Sequence, residues 1–225
     1  MQNIKMVVAY DGSCYFGFQK TSAFATIEGE LTAKLEKILQ SKVVLQAASR
    51  TDKGVHAKGQ VVQFILTKEK DLGQLRYSMN RLLPADIQII SMEKVANDFH
   101  PSVGAVAKTY CYQATTANIL MPHKRAYFWH YPKQIRSLEP ILPLFLGEKD
   151  FTAFSSVAYQ NSLCKIFSLT YQQENEEITI FIKGNRFLYK MVRIIVGTLL
   201  AYGSGKFCLQ DLERLFVMKE RKYAG

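Results

Sequence analysis

Eight residues, Ser49-Arg50-Thr51-Asp52-Lys53-Gly54-Val55-His56, separate two stretches that read as strands. Asp52 lies in the middle, two residues after Arg50 and next to Lys53. A nucleophilic carboxylate must stay ionised while partly desolvated, and nearby cations favour that form. A loop on a rigid scaffold is the usual place for such a side chain. Asp-Lys-Gly is also common turn chemistry. Taken alone, the loop reads as a hairpin turn before a nucleophile by roughly ten to one.

A second candidate runs from Asn185 to Leu200. Phe187, Leu188, Met191, Val192, Ile194, Ile195, Val196, Leu199 and Leu200 are apolar. Arg186, Lys190, Arg193 and Gly197 fall at spacings of four, three and four, which predicts one stripe of a helix starting near Asn185. A cation set in an apolar helix needs a partner, such as the Asp52 carboxylate or an RNA phosphate. A solvated stripe on a surface helix explains it equally well. The third candidate is Tyr110, two residues after Lys108 on one face of an alternating stretch. A tyrosine can stack on a base or relay a proton, although core packing is the plainer reading of a lone one. With 12 Tyr and 14 Phe in the chain, aromatic content selects nothing.

The elements that must position these residues follow from periodicity. Residues 4–10 predict a strand ending in the turn Asp11-Gly12. Residues 27–39 predict a helix with Thr26 as N-cap and Glu28 in its first turn. Strands are expected at 43–48 and 60–66, a helix at 72–83 capped by Asp71 and stopped by Pro84, and a strand at 87–95. In the second half, 108–116 reads as a strand and 135–146 as a helix despite Pro140 and Pro143. Residues 163–172 and 177–183 read as strands around Glu174-Asn175-Glu176, and a short helix begins near Leu209. The fold class expected is α+β, two similar halves with a largely antiparallel sheet and helices on one face. The boundary falls in the Pro101–Gly104 stretch, giving halves 1–104 and 105–225.

The net charge of +10 favours a polyanionic partner. Residues 1–100 hold 13 Lys/Arg against 10 Asp/Glu, and residues 101–225 hold 16 against 9, so any nucleic-acid surface should draw on the second half. Cys14, Cys111, Cys164 and Cys208 form no C-x-x-C pair, which predicts reduced and mostly buried thiols in an intracellular protein. His56, His100, His123 and His130 match no zinc spacing, so no metal is expected. The first residues lack the long apolar stretch of a signal peptide. Phe187–Leu200 is too short to span a bilayer and carries Lys190 and Arg193. A cytoplasmic location is expected.

Together these stretches resemble one family. SRTDKGVHAKGQVVQF is similar to the catalytic signature of the TruA-type tRNA pseudouridine synthases. VVAYDGSCYFGFQK resembles that family's first strand and turn, with Phe18 where a Trp is more common. DFHPSVGAVAKTYCYQ, GEKDFTAFSS and GNRFLYKMVRIIVGTLLAYGSGK resemble later blocks. Five blocks in order are far more specific than one short motif.

The resemblance implies isomerisation of uridine to pseudouridine in tRNA, in the anticodon arm, by a homodimer with no metal and no cofactor. It implies two α+β halves forming a central basic cleft. Asp52 resembles the nucleophile, Arg50 the arginine that helps expel the target nucleotide, Tyr110 the tyrosine that packs on the uracil, and Arg193 the arginine paired with the nucleophile. Phe99, His100 and Lys190 fall among the expected RNA contacts. Two features depart from the pattern. Pro101-Ser102 follows His100 where Ala-Arg is common, which removes a basic contact. The family also continues past the point where this sequence ends, at Tyr223-Ala224-Gly225, into a last strand. Two rival readings remain: a non-catalytic RNA-binding module, which needs sheet aromatics but no nucleophile, and a metal-dependent nuclease, which needs a carboxylate cluster.

Overall fold

A computed structural model describes residues 1–219, 221 and 224. Of the Tyr223-Ala224-Gly225 end, Tyr223 and Gly225 lie outside the described residues. The chain divides into two compact units, Met1–Ala105 and Val106–Gly225.

The first unit is built on β1 (Gln2–Tyr10), whose even-numbered residues Ile4, Met6, Val8 and Tyr10 are buried. That period of two lays one face of the strand against a core. β1 lies between β3 (Ala57–Leu66) and β4 (Ile87–Val95), antiparallel to both, and β2 (Gln46–Ala47) extends the sheet to the order β2-β3-β1-β4. α1 (Ile27–Leu39) and α2 (Leu72–Leu82) bury Leu31, Leu35, Leu75 and Met79 in the same core as Met6, Val62 and Phe64.

The caps form as the residue types predict. Thr26 Oγ1 accepts from the Gly29 N–H at 3.2 Å, and Asp71 Oδ1 from the Gln74 N–H at 2.8 Å. Leu83, before Pro84, is extended and ends α2. The strand expected at 43–48 shrinks to two residues. Glu36 explains part of this, because its carboxylate takes the Val43 N–H at 3.1 Å and draws that backbone toward α1. The buried amide pair Gln63–Asn3 closes the sheet toward the 96–99 turn. Gln63 donates to Asn3 Oδ1 at 2.6 Å, and Asn3 donates to the carbonyls of Ala96 and Phe99.

The second unit has a mixed sheet. β5 (Lys108–Thr115), β6 (Phe128–His130), β7 (Gly147–Asp150), β8 (Leu163–Glu174) and β9 (Glu177–Gly184) lie in the order β6-β5-β9-β8-β7. Of these pairings β5–β6 is parallel, and β5–β9, β9–β8 and β8–β7 are antiparallel. The β8–β9 turn places Asn175 at φ +54°, a left-handed position that Asn tolerates. α3 (Met191–Gly203) is nearly all buried, and α4 (Leu209–Met218) adds Leu212 and Leu215 to the same core.

Three expectations need correction here. α3 starts at Met191, not near Asn185, because Lys190 is left-handed at φ +60°. Asn185 is spent on a turn instead, its Oδ1 accepting the backbone N–H groups of Lys165 and Arg186. Arg186 and Lys190 therefore precede the helix, and the basic stripe does not exist. The helix expected at 135–146 is a 3₁₀ segment, Glu139–Phe145. Pro140 and Pro143 lack the N–H groups an α-helix would use there. The thiols are not mostly buried: Cys164 is, whereas Cys14, Cys111 and Cys208 are exposed. β6 and β7 were not expected, being only three and four residues long. Among the described residues, no helix is long and apolar enough to cross a membrane.

Candidate active site

Asp52 stands at the first corner of a β-turn. The Val55 N–H donates to the Asp52 carbonyl at 3.1 Å, and Gly54 takes φ +75°. A left-handed third residue is the type II signature, and glycine adopts it without strain. Asp52 is half-buried, while Arg50 and Lys53 on either side are exposed. The Lys53 ammonium sits 4.9 Å above the Phe16 ring, which stacks on Phe24. That contact draws one cation of the loop toward the 13–18 segment.

The segment after β1 holds this loop on both sides of Asp52. Ahead of it, Thr51 accepts the Phe18 N–H on its carbonyl at 3.0 Å, and its Oγ1 lies 2.8 Å from the Tyr10 hydroxyl. Beyond it, the Gly54 N–H donates to the Tyr15 carbonyl at 3.3 Å, and the Gly12 N–H to His56 Nδ1 at 3.2 Å. His56 Nδ1 also lies 3.0 Å from Asp11 Oδ1. The Tyr15 hydroxyl donates to Asp86 at 2.7 Å, and burial with this bond pushes the phenol well above its usual range. Two glycines allow the close approach. A Cβ on Gly12 would collide with the Val55 carbonyl, and one on Gly17 would meet the Thr51 carbonyl.

Phe99 and His100 lie elsewhere in this unit. With Lys5, Val95, Ala96, Asp98, Val103 and Gly104 they line an open cavity of about 560 Å³. His100 Nδ1 accepts the N–H groups of Ser102 and Val103, which ties the ring to the Pro101-Ser102 turn.

In the second unit Tyr110 pairs with Ile182 across the β5–β9 ladder, and its ring meets Phe187 edge-on at 5.0 Å between centroids. Phe187 reaches it over Gly184, where a Cβ would come within 3.1 Å of the Phe187 ring. Tyr110 and Tyr112 are half-buried on one strand face, with exposed Cys111 opposite. Burial raises the Tyr112 phenol, and the positive charge of Arg193 opposes that shift. Burial also lowers the Lys108 ammonium. Arg193 occupies the first turn of α3 and is exposed there, and Lys190 is the exposed residue capping it. Arg50 and Asp52 thus belong to one unit, and Tyr110, Lys190 and Arg193 to the other. Among the described residues no group of three or more His, Cys, Asp or Glu could hold a metal ion.

Comparison with known proteins gives the family of the chain. The chain matches the family of tRNA pseudouridine synthases over residues 6–102 and 141–225. The chain belongs to that family. It is an isomerase of tRNA, forming pseudouridine. The tRNA pseudouridine synthase A 2 of Protochlamydia amoebophila is 44% identical over 233 residues, covering all of this chain and 89% of the relative. The tRNA pseudouridine synthase A 2 of Clostridium perfringens is 36% identical, covering all of this chain and 94% of the relative. The tRNA pseudouridine synthase A of Leuconostoc mesenteroides is likewise 36% identical, covering 93% of that relative.

Sequence reading of this enzyme singled out Asp52 but not the residues that fasten its loop. Tyr10, Gly12, Gly17 and His56 all lie inside the quoted blocks. Their roles needed the positive φ of Gly17 and the hydrogen-bond partners, neither of which has a signature in residue type alone.

Proposed function

We propose that Asp52 is the nucleophile of this synthase and that the enzyme acts on uridines of the tRNA anticodon stem-loop. The supporting observation is the Asp52 turn itself. Asp52 stands between Arg50 and Lys53 in the chain, on a loop whose backbone is bonded on both sides, so the reacting group needs little reorganisation. In the reaction the C1′–N1 bond of uridine breaks, the uracil turns, and C1′ bonds to C5. N1 takes up a proton and C5 releases one, so atoms balance without a co-reactant. Asp52 attacks C1′ or C6 of the uracil and is released at the end.

The other roles follow from the family pattern and the local chemistry. Arg50 offsets the few kcal/mol needed to take the nucleotide out of its stack. Tyr110 packs on the uracil and is the candidate acceptor of the C5 proton. Arg193 has the role the family pattern gives it, as the arginine paired with the nucleophile. Phe99, His100 and Lys190 contact RNA around it. The enzyme works as a homodimer, without metal or cofactor, in the cytoplasm, and a basic cleft grips the tRNA.

The test is to map pseudouridine in tRNA from cells with and without this protein, and to repeat the reaction in vitro with C5-tritiated tRNA. Loss of anticodon-arm pseudouridine in the deletion, and tritium release by the purified enzyme, are expected. An unchanged map would overturn the choice of substrate region. Tritium release by an Asp52→Asn variant would remove Asp52 as nucleophile.

A further inference from the structure

We propose that Tyr10 is a positioning residue for catalysis, acting through the bond between its hydroxyl and Thr51 to fix the peptide that carries Asp52. The inference rests on Asp52 being the nucleophile.

Tyr10 is the last residue of β1 and is only 4% exposed. It pairs across the ladder with Ala57, the first residue after the nucleophile loop, just past a bulge in β1. Its ring belongs to the core with Tyr15 and Phe18, and lies 6.3 Å from the Phe18 ring. The core therefore fixes where the hydroxyl points. That point is Thr51 Oγ1, 2.8 Å away.

Thr51 immediately precedes Asp52, so whatever orients Thr51 orients the Asp52 peptide. Thr51 is bound twice. Its carbonyl takes the Phe18 N–H, and its hydroxyl meets Tyr10. One bond alone would leave rotation about the other end of the residue; the pair fixes both. Tyr10 and Phe18 flank the Asp11–Gly17 segment, which also holds Gly54 and His56 on the far side of Asp52. A Phe at position 10 would keep the ring packing and lose the bond to Thr51.

The prediction is a catalytic defect without a binding defect. Displacing an attacking oxygen by about 1 Å costs on the order of a hundredfold in rate. Tyr10→Phe and Thr51→Val should each lower kcat for pseudouridine formation by about tenfold or more, with KM for tRNA within about twofold of wild type. Thr51→Ser keeps a hydroxyl and should recover most of the rate. The double variant Tyr10→Phe/Thr51→Val should be no slower than the slower single one, because both remove the same bond. The Thr51 variants carry the test even if Tyr10→Phe folds poorly.

Wild-type kcat in Thr51→Val, or equal rates for Thr51→Ser and Thr51→Val below wild type, would overturn the role of the hydroxyl bond. Rate losses that multiply in the double variant would overturn the coupling. Turnover by Asp52→Asn, run beside them, would instead overturn the nucleophile assignment on which the inference stands.

Discussion

The carbonyl oxygen of Thr51 lies 2.7 Å from where a Cβ on Gly17 would stand, and Gly17 sits at φ +94°. Side chains rarely adopt that conformation, and here backbone also fills the space one would need. Gly54 provides the contrast. Its φ is +75°, yet nothing lies within 4 Å of its missing Cβ. Gly54→Ala should cost only backbone strain, about 1–2 kcal/mol. Gly17→Ala should cost about 1–3 kcal/mol more, and its turnover should fall further than its stability because Thr51 leads directly into Asp52. Urea unfolding and single-turnover rates of the two variants check this. Equal losses in both properties would show that the close approach to Thr51 has no consequence.

Asp52→Asn separates chemistry from folding. Asn keeps the shape of the Asp52 side chain and removes its charge, while the backbone bonds of residues 51–55 and those of the Thr51 and His56 side chains remain. The amide variant should keep the wild-type fold. It should bind tRNA with wild-type affinity and release no tritium from C5-labelled uridine. Loss of tRNA binding would give the carboxylate a structural role at the RNA surface instead.

What could be read beforehand followed the range of the forces involved. α1, α2, β1 and β4 obey local periodicity, and Thr26 and Asp71 cap by contacts three residues away, so their types sufficed. The start of α3 did not follow, because Asn185 is bound to Lys165 twenty residues back, and nothing near Asn185 signals that partner. β6 takes its place by pairing with β5 and has too few residues to show a period. The Asp52 loop was conspicuous for its two cations and for the family pattern. Its fastening to Tyr10 spans 41 residues and surfaced only in the folded chain.

Arg193 lies in the first turn of α3, where no acidic residue stands and the helix dipole is positive. A cation there is unfavourable by about 0.3–1 kcal/mol. Arg193→Met removes that unfavourable charge, so any loss of stability should be smaller than the loss of turnover. Turnover should still fall, because the family pattern makes Arg193 the partner of the nucleophile. Urea unfolding beside steady-state kinetics on tRNA distinguishes the cases. A destabilised variant with proportionate loss of activity would mean that Arg193 is a structural residue.

Asp150 gives the acid sensitivity of the second unit. Lys219, at the C-terminal end of α4, bonds its carboxylate at 2.8 Å, and the Thr152 hydroxyl and N–H add bonds at 2.6 and 2.9 Å. The Lys219 bond foremost, and then the Thr152 bonds, pull this carboxyl from 3.8 down to about 2. A depressed folded pKa stabilises the native state above the unfolded value and ceases to do so as pH falls through the folded value. The contribution is thus full above about pH 4–5 and gone near pH 2. Both side chains are partly exposed, 30% for Asp150 and 52% for Lys219, so solvent screening reduces it to about 1 kcal/mol. Asp150→Asn should be less stable than wild type by that amount at pH 6, and the two should converge near pH 2. α4 should be the first element affected, because Lys219 ties its end to β7, while Phe216 packs on Phe145, Phe151 and Phe154. Hydrogen exchange of α4 amides at pH 6 should therefore quicken in the variant before that of β9. A stability gap of constant size from pH 6 to pH 2 would show that Asp150 acts through packing and not through its charge.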